Sequence, residues 1–265
     1  MKAKKVIILM SVVFIISYYG EKIHDFYSPA KERQIYRTHE HHDDTLRIAY
    51  IGDSWALGHS ESWTFGNKPH FCQLSNIIKD SLNRPVTVES YGISGLTSKK
   101  IYYALFESNS FKSFIQKGYD YCYVSAGIND TYGKMSTSYY THSMDCIIRF
   151  LITNHIHPII QEIPDYNIVE AYKSQNTYKK FLRHISMFIN ATQMDCKQQF
   201  REALNKLIIE KDYQNKVSIV RYKSWNNNYE NDLKELYISD QIHLNDKGYA
   251  VLDHAISKVV LDIEH

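Results

Sequence analysis

Four short stretches of this 265-residue chain hold residues of types that could do chemistry. They read Gly52-Asp53-Ser54-Trp55, Gly92-Ile93-Ser94-Gly95, Gly127-Ile128-Asn129-Asp130 and Asp240-Gln241-Ile242-His243. Taken singly, each has a bland reading. Ser54 suits a helix N-cap, whose hydroxyl satisfies the free N–H groups of a first turn. Gly95 suits a tight turn, and Asn129 and Asp130 suit the start of a following helix. Asp240 and Asn245 suit the start of the last one, and His243 suits a partly buried loop. The other reading of Ser54 is a nucleophile, which needs a base to take its proton and donors to hold an oxyanion.

These stretches work together only if a scaffold gathers them, and the patterning predicts one. Short β-rich apolar runs at 46–51, 86–91, 119–125, 157–162 and 216–221 predict strands. Helical spacing between them predicts helices over 71–82, 98–114 and 138–154. A long helical stretch over 177–213, broken near 190–192, and a closing helix over 247–263 follow. Strands that alternate with helices predict an α/β fold, with three layers (α/β/α) and a central parallel five-stranded sheet. Right-handed crossovers follow from that arrangement. In such sheets, ligands sit beyond the carboxyl ends of the strands. Three of the stretches follow strands one, two and three, and the fourth precedes the last helix. Reading all of them as caps and turns requires five independent coincidences at one sheet edge.

In that order and at those positions, the four stretches resemble the blocks of the SGNH hydrolases, also called GDSL-type esterases and lipases. The resemblance covers about residues 46–256 and is carried by the four blocks. It implies a flavodoxin-like SGNH hydrolase fold. Ser54 is then the nucleophile, Gly95 and Asn129 the second and third block residues, and Asp240 and His243 the acid and base. The family usually has Leu where Trp55 stands, a position without a chemical role. A serine hydroxyl must lose its proton as it attacks, and an imidazole titrates near neutral pH. Asp240 would accept the other imidazole N–H, fix the tautomer and stabilise the cation. The backbone N–H groups of Ser54 and Gly95 and the Asn129 amide would supply three oxyanion donors, and Gly95 would leave room for the acyl carbonyl. Asp53 and Asp130 are expected in support, Asp53 by holding the turn through local backbone hydrogen bonds.

The remaining features set the context. Net charge is +2, which implies no pull toward nucleic acid. No phosphate-cradling loop, metal ligand set or nucleotide fingerprint is present, so no cofactor is required. Lys2, Lys4 and Lys5 precede an apolar run over 6–16, which reads as a signal peptide or an N-terminal membrane anchor over 1–20. Export, to a periplasmic or extracellular location, is the expectation, with attachment through residues 6–19 as the alternative to cleavage. Residues 21–45, with His39, His41, His42, Asp43 and Asp44, read as a solvated linker to one domain over 46–265. Cys72, Cys122, Cys146 and Cys196 lie far apart and read more simply as buried thiols than as bridges. His59, His70, His142, His155 and His157 read as surface or edge residues. Trp55, Trp63, Trp225 and the 22 tyrosines tilt the substrate toward an acyl group on a glycan, over a lipid or another small ester. A transferase passing the acyl group to a sugar hydroxyl, and a glycan-binding protein with a silent triad, are the rivals. The stretch 164–192 is expected as a lid, a pocket wall or a plain packing helix.

Overall fold

In the computed structural model, the residues described are 28–60, 69–133, 135–173 and 175–265, with isolated positions 10, 17 and 20. The expected leader or anchor lies almost wholly outside them, as does Trp63. No described helix is long and apolar enough to cross a membrane.

Five strands, β1 (Leu46–Gly52), β2 (Val86–Gly92), β3 (Tyr121–Ser125), β4 (His157–Gln161) and β5 (Ser218–Val220), form one sheet of order β2-β1-β3-β4-β5. Every pairing is parallel. The apolar runs of β1 and β3 are buried almost throughout, as expected of strands covered on both faces. Right-handed crossovers then sort the helices. Helix α1 (Pro69–Leu82) and helix α10 (Asp246–Glu264) pack together on one side. On the other lie α2 (Ser98–Glu107), α3 (Asn109–Ile115), α5 (Thr137–Thr153) and α8 (Lys197–Glu210). Shorter helices are α4 (Ile128–Gly133), α6 (Ile168–Lys173), α7 (Thr177–Ile189) and α9 (Tyr229–Glu235).

Register is the feature that matters for the site. Gly52 of β1 pairs with Gly92 of β2 on one side and with Ser125 of β3 on the other. The three loops that follow therefore leave the sheet at one level, beside the point where chain order reverses around β1.

One expected element differs in detail. The helix expected over 98–114 is two helices, because extended Ser108 ends α2 and its hydroxyl caps α3 through Phe111 N–H at 3.3 Å. The break expected near 190–192 in the stretch 177–213 is present, with α7 and α8 separated at 190–196.

The linker expectation is corrected for residues 28–45. They have no regular secondary structure, yet they lie against α2, α3 and α5. Arg33 N–H donates to Tyr102 Oη at 2.7 Å, Tyr36 Oη to Leu105 carbonyl at 2.7 Å, and Thr38 N–H to Asn154 Oδ1 at 2.9 Å. The Tyr36 ring packs edge-on against Phe106 and Phe150, at 5.5 and 5.0 Å between centroids. His41 Nε2 lies 3.2 Å from Asp120. Polar composition misled here because the strap uses backbone N–H groups, which composition does not display.

Cys122, Cys146 and Cys196 are buried free thiols, and the side chain of Cys72 lies outside the description. Tyr36→Ala removes a half-buried ring and one hydrogen bond, so it should cost about 2 kcal/mol of unfolding free energy, measured by urea denaturation.

Candidate active site

The turn after β1 is built by glycines and one carboxylate. A side chain on Gly52 would collide with the Ser125 carbonyl, and one on Gly92 with the backbone of Asp53, Ala56 and Leu57. Both positions let the turn 53–58 settle directly onto the strand ends. Asp53 N–H donates to Ser125 carbonyl at 3.2 Å, and Leu57 N–H returns to Asp53 carbonyl at 3.1 Å. The Asp53 side chain is fully buried and accepts from Trp55 N–H at 3.0 Å, Ser125 Oγ at 3.1 Å and Asn129 Nδ2 at 3.2 Å. Ser54 follows, 6% exposed. From below, Tyr249 Oη of α10 donates to the carbonyl of His59 at 3.1 Å.

The second half comes from the loop between α9 and α10. An antiparallel bridge between Tyr237 and Leu244 closes it, and Ile238 N–H donates to His243 carbonyl at 2.9 Å. Gln241 takes a left-handed backbone, φ 57°, which turns the chain back on itself. Asp240 Oδ1 accepts the N–H groups of Ile242 and His243, both at 2.9 Å. Its other oxygen lies 2.5 Å from His243 Nδ1. Burial alone would raise the Asp240 carboxyl, but these donors outweigh it and hold it below the usual carboxylate range. His243 Nε2 then stands 2.8 Å from Ser54 Oγ, across 189 residues of chain. Hydroxyl, imidazole and carboxylate are thus joined in one line. Asn245 caps α10 through Gly248 N–H at 2.9 Å, so Asp240 is not that cap.

The expected donors differ in readiness. Gly95 has φ +78°, a conformation that favours glycine, and the space a side chain would take is open. Neither Ser54 N–H nor Gly95 N–H donates to a partner among the described residues. Asn129 lies beside them, but Nδ2 donates to Asp53 and, at 3.0 Å, to the Leu96 carbonyl. It would have to give up one of these to meet an oxyanion. Asp130 faces away: its carboxylate takes Ser98 N–H at 2.9 Å and Ser98 Oγ at 2.5 Å, bonding the first turn of α2 from the start of α4.

A family model, the GDSL-like Lipase/Acylhydrolase family, matches residues 50–251, a range that runs from the end of β1 into α10. The chain belongs to that family. It is a hydrolase of the acylhydrolase and esterase type. Solved structures of similar fold include a lipase/acylhydrolase from Enterococcus faecalis, with TM-score 0.56 and 14% identity, covering 80% of this chain and 94% of that one. Another is a lipase from a goat rumen metagenome, with TM-score 0.55 and 12% identity, covering 81% and 97%. An acetyl xylan esterase aligns with TM-score 0.52 and 16% identity, covering 81% and 100%. A comparison with curated proteins gave no match.

Two aromatic expectations change in this GDSL-family chain. Trp55 is fully buried, with rings of Trp225, Tyr237 and Tyr249 within 6.5 Å, and Trp225 is only 5% exposed. They are core residues and offer no face to a sugar. His59, expected at a surface edge, instead places its ring centroid 4.4 Å from that of His243. Burial first, and then the neighbouring His243 charge, lower the His59 pKa. A lone histidine five residues after a serine carries no spacing signal, so only the fold reveals it. Elsewhere, Glu32, His142 and Cys146 converge within 4.8 Å. The Arg149 guanidinium already binds Glu32, at 2.9 Å, and Cys146, while His142 Nε2 donates to Ala30 carbonyl at 2.8 Å, so that cluster is an ion-pair network.

Ring contacts of this kind are worth about 1 kcal/mol. His59→Ala should therefore lower kcat/KM on a model ester by roughly fivefold, and His59→Phe should restore most of it. Burial also pushes the Asp130 carboxyl up to about 6. The folded state then binds that proton more tightly than the unfolded chain, so this contribution to stability falls as pH rises through about 4 to 6 and is level above. The stability difference between the native protein and Asp130→Asn should follow that curve in denaturation at pH ~4.5 and ~7.5.

Proposed function

We propose that this GDSL-family hydrolase is a serine esterase that cleaves a short acyl group, such as acetyl, from a carbohydrate. The observation that carries the chemistry is the 2.8 Å contact of Ser54 Oγ with His243 Nε2, with Asp240 2.5 Å from Nδ1. His243 takes the Ser54 proton as Oγ attacks the ester carbonyl, and Asp240 stabilises the imidazolium. The N–H groups of Ser54 and Gly95 receive the oxyanion, and the Asn129 amide joins them by turning from the Leu96 carbonyl. His243 then protonates the departing alkoxide, and water, activated by the same imidazole, releases the acid. The short-acyl choice is supported by the likeness to an acetyl xylan esterase. Export, with residues 6–19 as signal or anchor, completes the reading and is supported by the basic start and apolar run. A lipid ester is the second reading, favoured by the exposed apolar side chains of α7.

A serine-directed phosphonate should label Ser54, Ser54→Ala should abolish labelling, and turnover should fall by at least ~10³-fold. Labelling that persists in the variant overturns the nucleophile. Aryl acetates and acetylated polysaccharide should be hydrolysed faster than long-chain esters; the reverse preference selects the lipid reading. Acyl transfer to a glycan acceptor without net hydrolysis selects a transferase.

A further inference from the structure

Helix α7, 13 residues long, is turned inside out relative to an ordinary surface helix. Arg183, 4% exposed, faces the domain, its guanidinium over the rings of Tyr132 and Tyr172 at 4.5 and 5.4 Å. Ser186 is buried beside it. The exposed side carries Tyr178, Phe181, Leu182, Ile185, Phe188 and Ile189, with Phe188 89% exposed and Phe181 60%. At about 100° per residue these six fall within one arc of about 120°. Exposed Lys179 lies about 60° beyond one edge of the arc, on the bearing of buried Ser186 and Arg183, and half-buried Lys180 lies about 80° beyond the other, past exposed His184. The helix holds no Asp or Glu.

An apolar stripe flanked by lysines, on a helix without acids, is the pattern of a segment lying in the plane of a lipid interface. We propose that α7 docks the protein onto an anionic lipid surface, with the Tyr178–Phe188 stripe entering the acyl boundary and Lys179 and Lys180 meeting lipid phosphates. Charge selects this occupant over a second copy of the chain, which would bring the same cations against each other. The scaffold supports the docked helix. Tyr172 Oη of α6 bonds His184 Nε2 at 2.7 Å, and Asn167, just before α6, donates through Nδ2 to Gln241 Oε1 at 2.6 Å. The docked helix is therefore tied, through two hydrogen bonds, to the loop that carries Asp240 and His243. The inference is independent of the ester reading, and its test uses no activity.

The full chain is sedimented with vesicles of phosphatidylglycerol and phosphatidylcholine, and with phosphatidylcholine alone. The native protein should favour the anionic vesicles, and Lys179→Glu/Lys180→Glu should lose that preference. Phe181→Glu/Phe188→Glu should lower partitioning by at least about tenfold. The apolar run at residues 6–16 is common to all variants, so a reporter at the helix itself separates its contribution. Phe188→Trp should add emission that brominated lipid quenches. Absence of that quenching overturns the proposal, as does a Phe181→Glu/Phe188→Glu variant that dissociates a native dimer while binding vesicles unchanged.

Discussion

The site depends on a carboxylate placed where water cannot reach it. Asp53 is fully buried, and burial pushes its carboxyl up to about 6, against the donors that hold it down. Its three donors come from different segments: Trp55 N–H in the turn after β1, Ser125 at the end of β3, and Asn129 in α4. An ion in such a place is tolerable only while those donors stay in position. The burial that makes Asp53 costly also makes its geometry strict. Ser54, the next residue, inherits that strictness.

The glycines extend the same logic to the backbone. Turn 53–58 rests on strand ends, because Gly52 and Gly92 offer no side chain to hold it off. Packing at that density leaves Ser54 a single place to be. The partner loop is fixed differently. Its local ladder between Tyr237 and Leu244 and the Asp240 contacts with two backbone N–H groups make it nearly self-supporting. The serine side is thus set by burial and the histidine side by local hydrogen bonds, and the two meet at one contact of 2.8 Å.

Around this centre the chain spends polar groups in the interior and apolar groups outside. Arg183 is buried while Phe188 faces outward, a reversal of the usual division. The strap at 28–45 does the opposite: a polar sequence is drawn onto the domain because Tyr102, Leu105 and Asn154 offer partners to its backbone and to Tyr36. Neither feature belongs to the sheet that carries the site, and both lie where helices meet solvent.

Much of the sheet and site was legible in the chain itself. Apolar runs mark strands where both faces are covered, as in β1, β3 and β4, and these and the partly buried edge strand β2 were readable to within two residues at either end. The Asp240–His243 spacing lets one loop hold both groups, which needs no long-range information. Other features were decided only by folding. That Gly92 must be side-chain-free follows from its register with Gly52, and that His59 meets His243 follows from two loops closing on each other. Trp55 and Trp225 could stack on a sugar, line a lipid pocket or fill the core as far as the sequence goes, and packing put them in the core. Ser108 breaks a helix that periodicity alone would continue. Periodicity records which faces of an element are apolar; it carries no record of which distant element will cover them, and that is the quantity tertiary structure supplies.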